Sequence, residues 1–154
     1  MSPASPSGYC SWPRRTFVTL ETTEISLPSR IETVADAAAA VADFVTRSGV
    51  SEDAAFGIDM AVREAVTNAV VHGNSEDEQK VVDIVLKSSP EAVEISVHDQ
   101  GAGFNPNEVP DPTAEENLLK TSGRGIFFMR SFMDEVHWFL PPEGGTTVRM
   151  LKRR

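Results

Sequence analysis

The sequence predicts an α/β two-layer sandwich, in which helices cover one face of a mixed, mostly antiparallel sheet. Two amphipathic helical patterns follow each other between residues 29 and 74, and two pairs of short strand patterns come after them. Each strand pair is joined by a turn rich in Pro, Gly or Ser, which favours antiparallel hairpins. Helices and hairpins in this order are typical of a sheet that carries its helices on one face.

A leader outside the fold is predicted at the N-terminus. Residues 1–14 are rich in Pro, Gly and Ser, a composition typical of disorder, so a single folded domain is expected over residues 15–154. The Thr, Phe, Val and Leu residues between Arg15 and Thr22 predict the first strand.

Two helices are predicted next. Ser29 and Glu32 form a capping-box pattern for the first helix, which is expected to end at Gly49. Ser51 begins the second helix, which is expected to end at Gly73. Apolar residues at the helical period are expected in the core: Ile31, Val34, Ala38, Val41 and Val45 in the first helix, and Ile58, Ala61, Val62, Ala65 and Ala69 in the second.

The remaining elements are two hairpins, separated by a loop and a short helix. The four strands are expected at Val81–Leu86, Val93–His98, Val136–Leu140 and Thr146–Leu151. Residues 105–123 are polar and contain prolines, and a stretch of this length is expected to be a functional lid. The short helix is predicted at Gly125–Met133.

Composition argues against several classes of function. The 154 residues are 40% hydrophobic and 24% charged, as in one globular domain, and no apolar run is long enough to span a bilayer. The net charge of −9 disfavours direct binding to nucleic acid. Cys10 has no internal disulfide partner and the N-terminus lacks a secretory pattern, so a cytoplasmic protein is expected.

Two stretches carry polar groups suited to a nucleotide. Glu64 and Asn68 are four residues apart, so they share a helix face, where a carboxylate can orient a hydroxyl and a carboxamide can ligate Mg²⁺. Asp99 emerges at a strand end, where it can accept a hydrogen bond from an adenine amino group. Gly101 and Gly103 allow the backbone to approach a flat ligand closely.

A third stretch supplies candidate phosphate contacts. Gly123, Arg124 and Gly125 precede a predicted helix, whose first N–H groups can bind phosphate. Thr147, on the last strand, is a further candidate for the base pocket. Together the stretches suggest an ATP site, although each alone also fits ordinary structure: a solvated helix face, a turn that begins with Asp, and a hinge.

In order and spacing, these stretches resemble the GHKL superfamily of ATP-binding domains (gyrase, chaperone, histidine kinase and MutL). Glu64–Asn74 is similar to the N box, Asp99–Phe104 to the first glycine box and Gly123–Ile126 to the second. Within the superfamily the chain looks most like the small anti-sigma-factor serine kinases of the RsbW and SpoIIAB type. Asn68–Gly73 and Phe132–Val136 carry that closer resemblance.

The resemblance implies a Bergerat-type ATP-binding fold and an anti-sigma factor that binds ATP·Mg²⁺. It also implies phosphorylation of a serine on an anti-anti-sigma protein of the STAS fold, often by a homodimer. In this view Glu64 orients the attacking hydroxyl, Asn68 holds Mg²⁺ and Asp99 binds the adenine amino group. The other residues that the resemblance implies at the nucleotide are Gly101, Gly103, Gly123, Arg124 and Gly125.

Two further functions are compatible with the same residues. One is a nucleotide-dependent module that sequesters a partner without phosphorylating it. It differs from the serine kinase only in whether Glu64 takes part in phosphoryl transfer. The catalytic domain of a two-component histidine kinase is disfavoured, because the sequence has no dimerisation helix pair that carries a phospho-acceptor histidine.

Overall fold

Five strands form one sheet in the part of the chain that the computed structural model describes, residues 18–101, 127 and 129–154. In chain order they are β1 (Glu21–Pro28), β2 (Val81–Ser88), β3 (Ala92–His98), β4 (Glu135–Phe139) and β5 (Thr147–Arg153). Their order across the sheet is β1-β2-β3-β5-β4, and every pairing among them is antiparallel.

Two helices pack on one face of this sheet, as the sequence predicts. They are α1 (Thr33–Ser48) and α2 (Glu52–Thr67), and α2 continues into a π-helical turn, Asn68–Gly73. The core lies between the helices and the alternate strand residues that point towards them, such as Ile84 and Ile95. The two-layer sandwich with helices on one face is therefore confirmed.

The first strand, predicted between Arg15 and Thr22, is wrong in position in the part of it that the structure describes, residues 18–22. Residues 18–20 are not in a strand, and β1 begins at Glu21 and ends at Pro28. The side chains of Val18 and Leu20 are 70% and 62% exposed, whereas Ile25 packs on the core opposite Ile84 of β2. Pairing with β2 therefore determines which residues form β1, and this pairing overrides the local β propensity of the earlier residues.

The predicted capping box at Ser29 is also wrong. Helix α1 begins at Thr33, and Glu32, at the N-cap position, makes no capping bond with its side chain. The Thr33 hydroxyl donates instead to the Pro28 carbonyl at 2.5 Å, while the buried Ser29 hydroxyl has no hydrogen-bond partner. The segment between β1 and α1 is thus a tight turn rather than a first helical turn.

The other predicted elements are confirmed within the described residues. Gly49 ends α1 with a φ of 71°, and Ser51 caps α2 by accepting a hydrogen bond from the Ala54 N–H at 3.1 Å. The predicted core residues of α2 are all buried. The prediction that Ile31 lies in the core of the first helix is wrong, because Ile31 precedes α1 and is 50% exposed. Both predicted hairpins form, β2 with β3 and β4 with β5. Residues 127 and 129–132 are helical, in agreement with the short helix predicted there.

Within the same described ranges, no helix combines the length and the apolar character that crossing a membrane requires.

The two serines give a direct test of where the helical caps lie. Ser51→Ala is expected to lower the free energy of unfolding by about 1 kcal/mol, because it removes the hydrogen bond to Ala54. Ser29→Ala is the matched control and should cause no loss, since its hydroxyl is buried without a partner. Denaturant unfolding of both variants measures this. A loss at Ser29 as large as that at Ser51 would contradict the assignment.

Candidate functional site

The end of the second helix changes its winding where the candidate polar residues lie. The Asn74 N–H donates to the Ala69 carbonyl, five residues earlier, at 2.8 Å, which is the bonding of a π-helical turn. Asn68 begins this turn and Glu64 lies one turn before it in α2. Both side chains are partly buried, and neither forms a hydrogen bond or ion pair with any described residue. Both polar groups are therefore available to a ligand.

Asp99 lies directly after β3 and its side chain is almost fully buried, at 7% exposure. Its Oδ1 accepts hydrogen bonds from the Gly101 N–H at 2.9 Å and the Thr146 N–H at 3.2 Å. Its own N–H donates to the Thr146 carbonyl at 2.9 Å. The second oxygen, Oδ2, has no hydrogen-bond partner among the described residues. The carboxylate is thus held through one oxygen, which leaves the other for a ligand.

Burial of the Asp99 carboxyl raises its pKa above the usual value of 3.8, because the charged form loses hydration. The N–H groups of Gly101 and Thr146 oppose this rise by stabilising the carboxylate, and the nearby charges of His98 and Lys80 oppose it further. Desolvation is the larger effect.

Two glycines bring the helix end and the strand end into backbone contact. A Cβ built on Gly73 would lie 2.3 Å from Oδ2 of Asp99, and one built on Gly101 would lie 1.8 Å from the Gly73 carbonyl oxygen. Any side chain at either position would force the two segments apart. The π-helical turn that begins at Asn68 therefore ends against the carboxylate of Asp99.

Asn74, the last residue of the stretch that resembles the N box, is a site component whose role the sequence does not predict. Its side chain is fully buried and bonds on both sides: Nδ2 donates to the Val81 carbonyl at 3.0 Å, and Oδ1 accepts from the Gln100 N–H at 2.7 Å. The Gln100 side chain in turn accepts from the Val81 N–H at 2.8 Å. An Asn after a Gly at a helix end indicates only where a helix stops, so the sequence carries no signal for these partners.

Thr147 lies on the face of the sheet that points away from the helices. Its hydroxyl is 2.8 Å from Nδ1 of His98, while the next residue, Val148, points into the core. Thr146 is the neighbour that contacts Asp99 through its backbone. The role of Thr147 in a base pocket remains a prediction. Gly144 and Gly145 lie in the turn predicted to join the last two strands, with φ values of 101° and 77°.

Several predicted features lie outside the described residues. They are the leader over residues 1–14, the lid over residues 105–123, and four of the candidate nucleotide contacts, Gly103, Gly123, Arg124 and Gly125. The described site therefore consists of the helix end, the end of β3 and the start of β5.

Comparisons with known proteins show which sequences the chain is similar to. The model of the histidine kinase-like ATPase domain family matches residues 27–152. An anti-sigma F factor of Oceanobacillus iheyensis is 33% identical over 131 residues, which cover 84% of this chain and 90% of that protein. An anti-sigma F factor of Bacillus subtilis is 34% identical over 114 residues, which cover 73% of this chain and 78% of that protein.

One solved structure has a related fold. The crystal structure of the RsbU and RsbW domains of a Mycobacterium tuberculosis protein superposes with a TM-score of 0.64 and 20% sequence identity. The match covers 86% of this chain and 32% of that longer one. At this level of identity the likeness supports the fold and nothing further.

The raised pKa of Asp99 predicts a pH-dependent difference in stability between wild type and Asp99→Asn. The folded state holds the proton to higher pH than the unfolded state, so this contribution is present below the usual pKa of 3.8 and is lost as the pH rises through the folded pKa. The free energy of unfolding of wild type, minus that of Asp99→Asn, should fall as the pH is raised.

Denaturant unfolding from about pH 3.5 to about pH 8 measures this difference. Asp77→Asn is the control for the change in net charge, because Asp77 is an exposed carboxylate in the neighbouring loop. A stability difference for Asp99→Asn that instead grew with pH would mean that the hydrogen bonds to Oδ1 outweigh desolvation.

Proposed function

Because the chain belongs to the histidine kinase-like ATPase domain family, we propose that it binds ATP with Mg²⁺ and acts as an anti-sigma factor with serine kinase activity. The observation that supports this best is the buried carboxylate of Asp99, with Oδ1 occupied by two N–H groups and Oδ2 available. Such an oxygen accepts a hydrogen bond from a ligand and excludes ligands that offer only an acceptor.

Adenine fits this requirement. Its exocyclic amino group donates a hydrogen bond, whereas guanine carries a carbonyl oxygen at the corresponding position. An acceptor placed against Oδ2 would leave the buried carboxylate unpaired, which costs about 1–3 kcal/mol or more. Gly73 lies next to this oxygen, and its lack of a side chain leaves the oxygen uncovered on that side for a flat base.

Asn68 and Glu64 are proposed to serve the phosphate end of the same ligand. The carboxamide oxygen of Asn68 suits Mg²⁺, which prefers oxygen ligands, and this oxygen has no competing hydrogen-bond partner among the described residues. When bound, ATP would supply the transferable phosphoryl group, and Mg²⁺ would neutralise part of the negative charge of the phosphates. Local neutralisation matters in this chain because its net charge of −9 repels polyphosphate at long range.

In the proposed reaction, the Glu64 carboxylate orients the serine hydroxyl of a partner and accepts its proton. The serine oxygen forms a bond to the γ-phosphorus, and the bond from that phosphorus to the oxygen bridging the β-phosphate breaks. Both electrons of the broken bond stay with ADP. The chain contributes mainly positioning and charge stabilisation, which are the principal requirements of phosphoryl transfer.

The sigma factor is proposed as a partner because both relatives are anti-sigma F factors, whereas the STAS-fold substrate and the homodimer are proposed from the family resemblance alone. We infer that the chain binds a sigma factor, that its phosphorylated substrate is an anti-anti-sigma protein of the STAS fold, and that it works as a homodimer. Each of these proteins acts where transcription occurs, so the proposed location is the cytoplasm.

Transfer of labelled phosphate tests the kinase directly. Wild type, incubated with γ-labelled ATP·Mg²⁺ and a STAS-domain protein of the same organism, should transfer label to a serine. Glu64→Gln should slow this transfer by about 10²–10⁴-fold, because it removes the proton acceptor. The affinity for ATP, measured by calorimetry, should stay unchanged.

Asp59→Asn is the matched control, since it removes a carboxylate one turn and a residue earlier on the same helix, where Asp59 pairs with Arg63 at 3.0 Å. It should transfer label like wild type. If wild type binds both ATP and the partner but never moves label, the chain is a nucleotide-dependent sequestering module instead of a kinase.

A further inference from the structure

Next to Asp99, strands β2 and β3 stop pairing directly, and a side chain lies between their ends. Their backbone pairing ends at Asp83 and His98, and the same register continued by two residues would set Val81 opposite Gln100. In an antiparallel ladder, that position would carry a direct bond between the Gln100 N–H and the Val81 carbonyl. Neither group makes that bond, because the carboxamide of Asn74 lies between them.

The Asn74 side chain therefore substitutes for a peptide group in the ladder. Its Oδ1 accepts from the Gln100 N–H at 2.7 Å and its Nδ2 donates to the Val81 carbonyl at 3.0 Å, so both backbone groups stay bonded. The Gln100 side chain closes the same gap from the other strand by accepting from the Val81 N–H at 2.8 Å. The strands are thus held apart by the width of one amide group.

We propose that Asn74 is the positioning residue of the nucleotide site, with Gln100 as its support, and that it sets the distance between Asn68 and Asp99. This inference rests on the proposed function, because it assigns a role within the same site. Asn74 joins three segments: its backbone N–H closes the π-helical turn at Ala69, and its side chain holds the start of β2 and the residue after Asp99.

The chemistry of the position requires asparagine. An aspartate can accept from the Gln100 N–H, but it cannot donate to the Val81 carbonyl and would place a charge beside it. An alanine leaves both buried backbone groups without a partner. In either case the strand ends are expected to move, and Asp99 moves with them because it precedes Gln100 directly.

The test compares nucleotide binding by Asn74→Asp, Asn74→Ala and Gln100→Ala with that of wild type. Calorimetry gives the affinities for ATP·Mg²⁺ and GTP·Mg²⁺, at a temperature where circular dichroism shows each variant to be folded. Both Asn74 variants should bind ATP about 10-fold more weakly or worse, the usual effect of losing a residue that orients a ligand contact. Gln100→Ala should lower the affinity for ATP about 3-fold, because it removes one hydrogen bond.

The preference for ATP over GTP is the decisive quantity. A variant that is merely less stable loses affinity for both nucleotides equally, whereas a displaced Asp99 loses the preference itself. The matched control is Ser89→Ala, which removes a buried side chain with two hydrogen bonds to Ala92 at the opposite end of the β2–β3 hairpin. It should keep the wild-type preference.

Two results would overturn the inference while leaving the proposed function intact. One is wild-type affinity and preference in the Asn74 variants; the other is an equal loss of preference in Ser89→Ala. If Asn74→Ala does not fold, Asn74→Asp and Gln100→Ala decide the matter by the same measurements. Failure of wild type to bind ATP would instead overturn the proposed function, and the inference with it.

Discussion

The contact between the backbone of Gly73 and the segment from Asp99 to Gly101 is the constraint on which the rest of the site depends. Here the end of the second helix meets the end of a central strand, at a distance that permits no Cβ on either glycine. The hydrophobic core brings the helix and the sheet together, but apolar packing is non-directional and does not fix such a contact. Hydrogen bonds through Asn74 supply the directional part.

The change of winding at Asn68 follows from the same contact. A regular α-helix would continue its i to i−4 bonds past this point, whereas the chain forms a bond from the Asn74 N–H to the carbonyl of Ala69. The wider turn lowers the helix end onto Asp99, and the chain then reverses through Ser75 and Glu76, which both have positive φ. Two adjacent non-glycine residues in that region are energetically costly, and their cost is offset by the buried bonds of the junction.

Most of the fold was predictable because its signals are local. Apolar residues at the helical period marked α2, and alternating residues marked the strands of both hairpins, since burial repeats with the same period as the backbone. The shifted β1 and the absent cap at Ser29 were not predictable in this way. Both depend on the register with β2, a partner more than fifty residues later in the chain.

In the candidate site, too, the features that depend on local sequence were predictable and those that depend on distant partners were not. The types of Asp99 and Asn68, and their positions at a strand end and on a helix, follow from local pattern and from the family resemblance. The peptide-like role of Asn74 does not, because its partners are 7 and 26 residues away and become neighbours only in the folded chain. Nor does a sequence reveal that one oxygen of Asp99 is occupied and the other is available.

The most direct test of whether Asp99 and Asn68 bind the same nucleotide is a crystal structure of the protein with Mg²⁺ and a nonhydrolysable ATP analogue. The proposed site requires the adenine amino group within hydrogen-bonding distance of Oδ2 of Asp99, and the metal ion bound by the carboxamide oxygen of Asn68 in the same complex. A nucleotide seated elsewhere on the molecule, or one whose base lies against the glycines without a bond to Asp99, would contradict it.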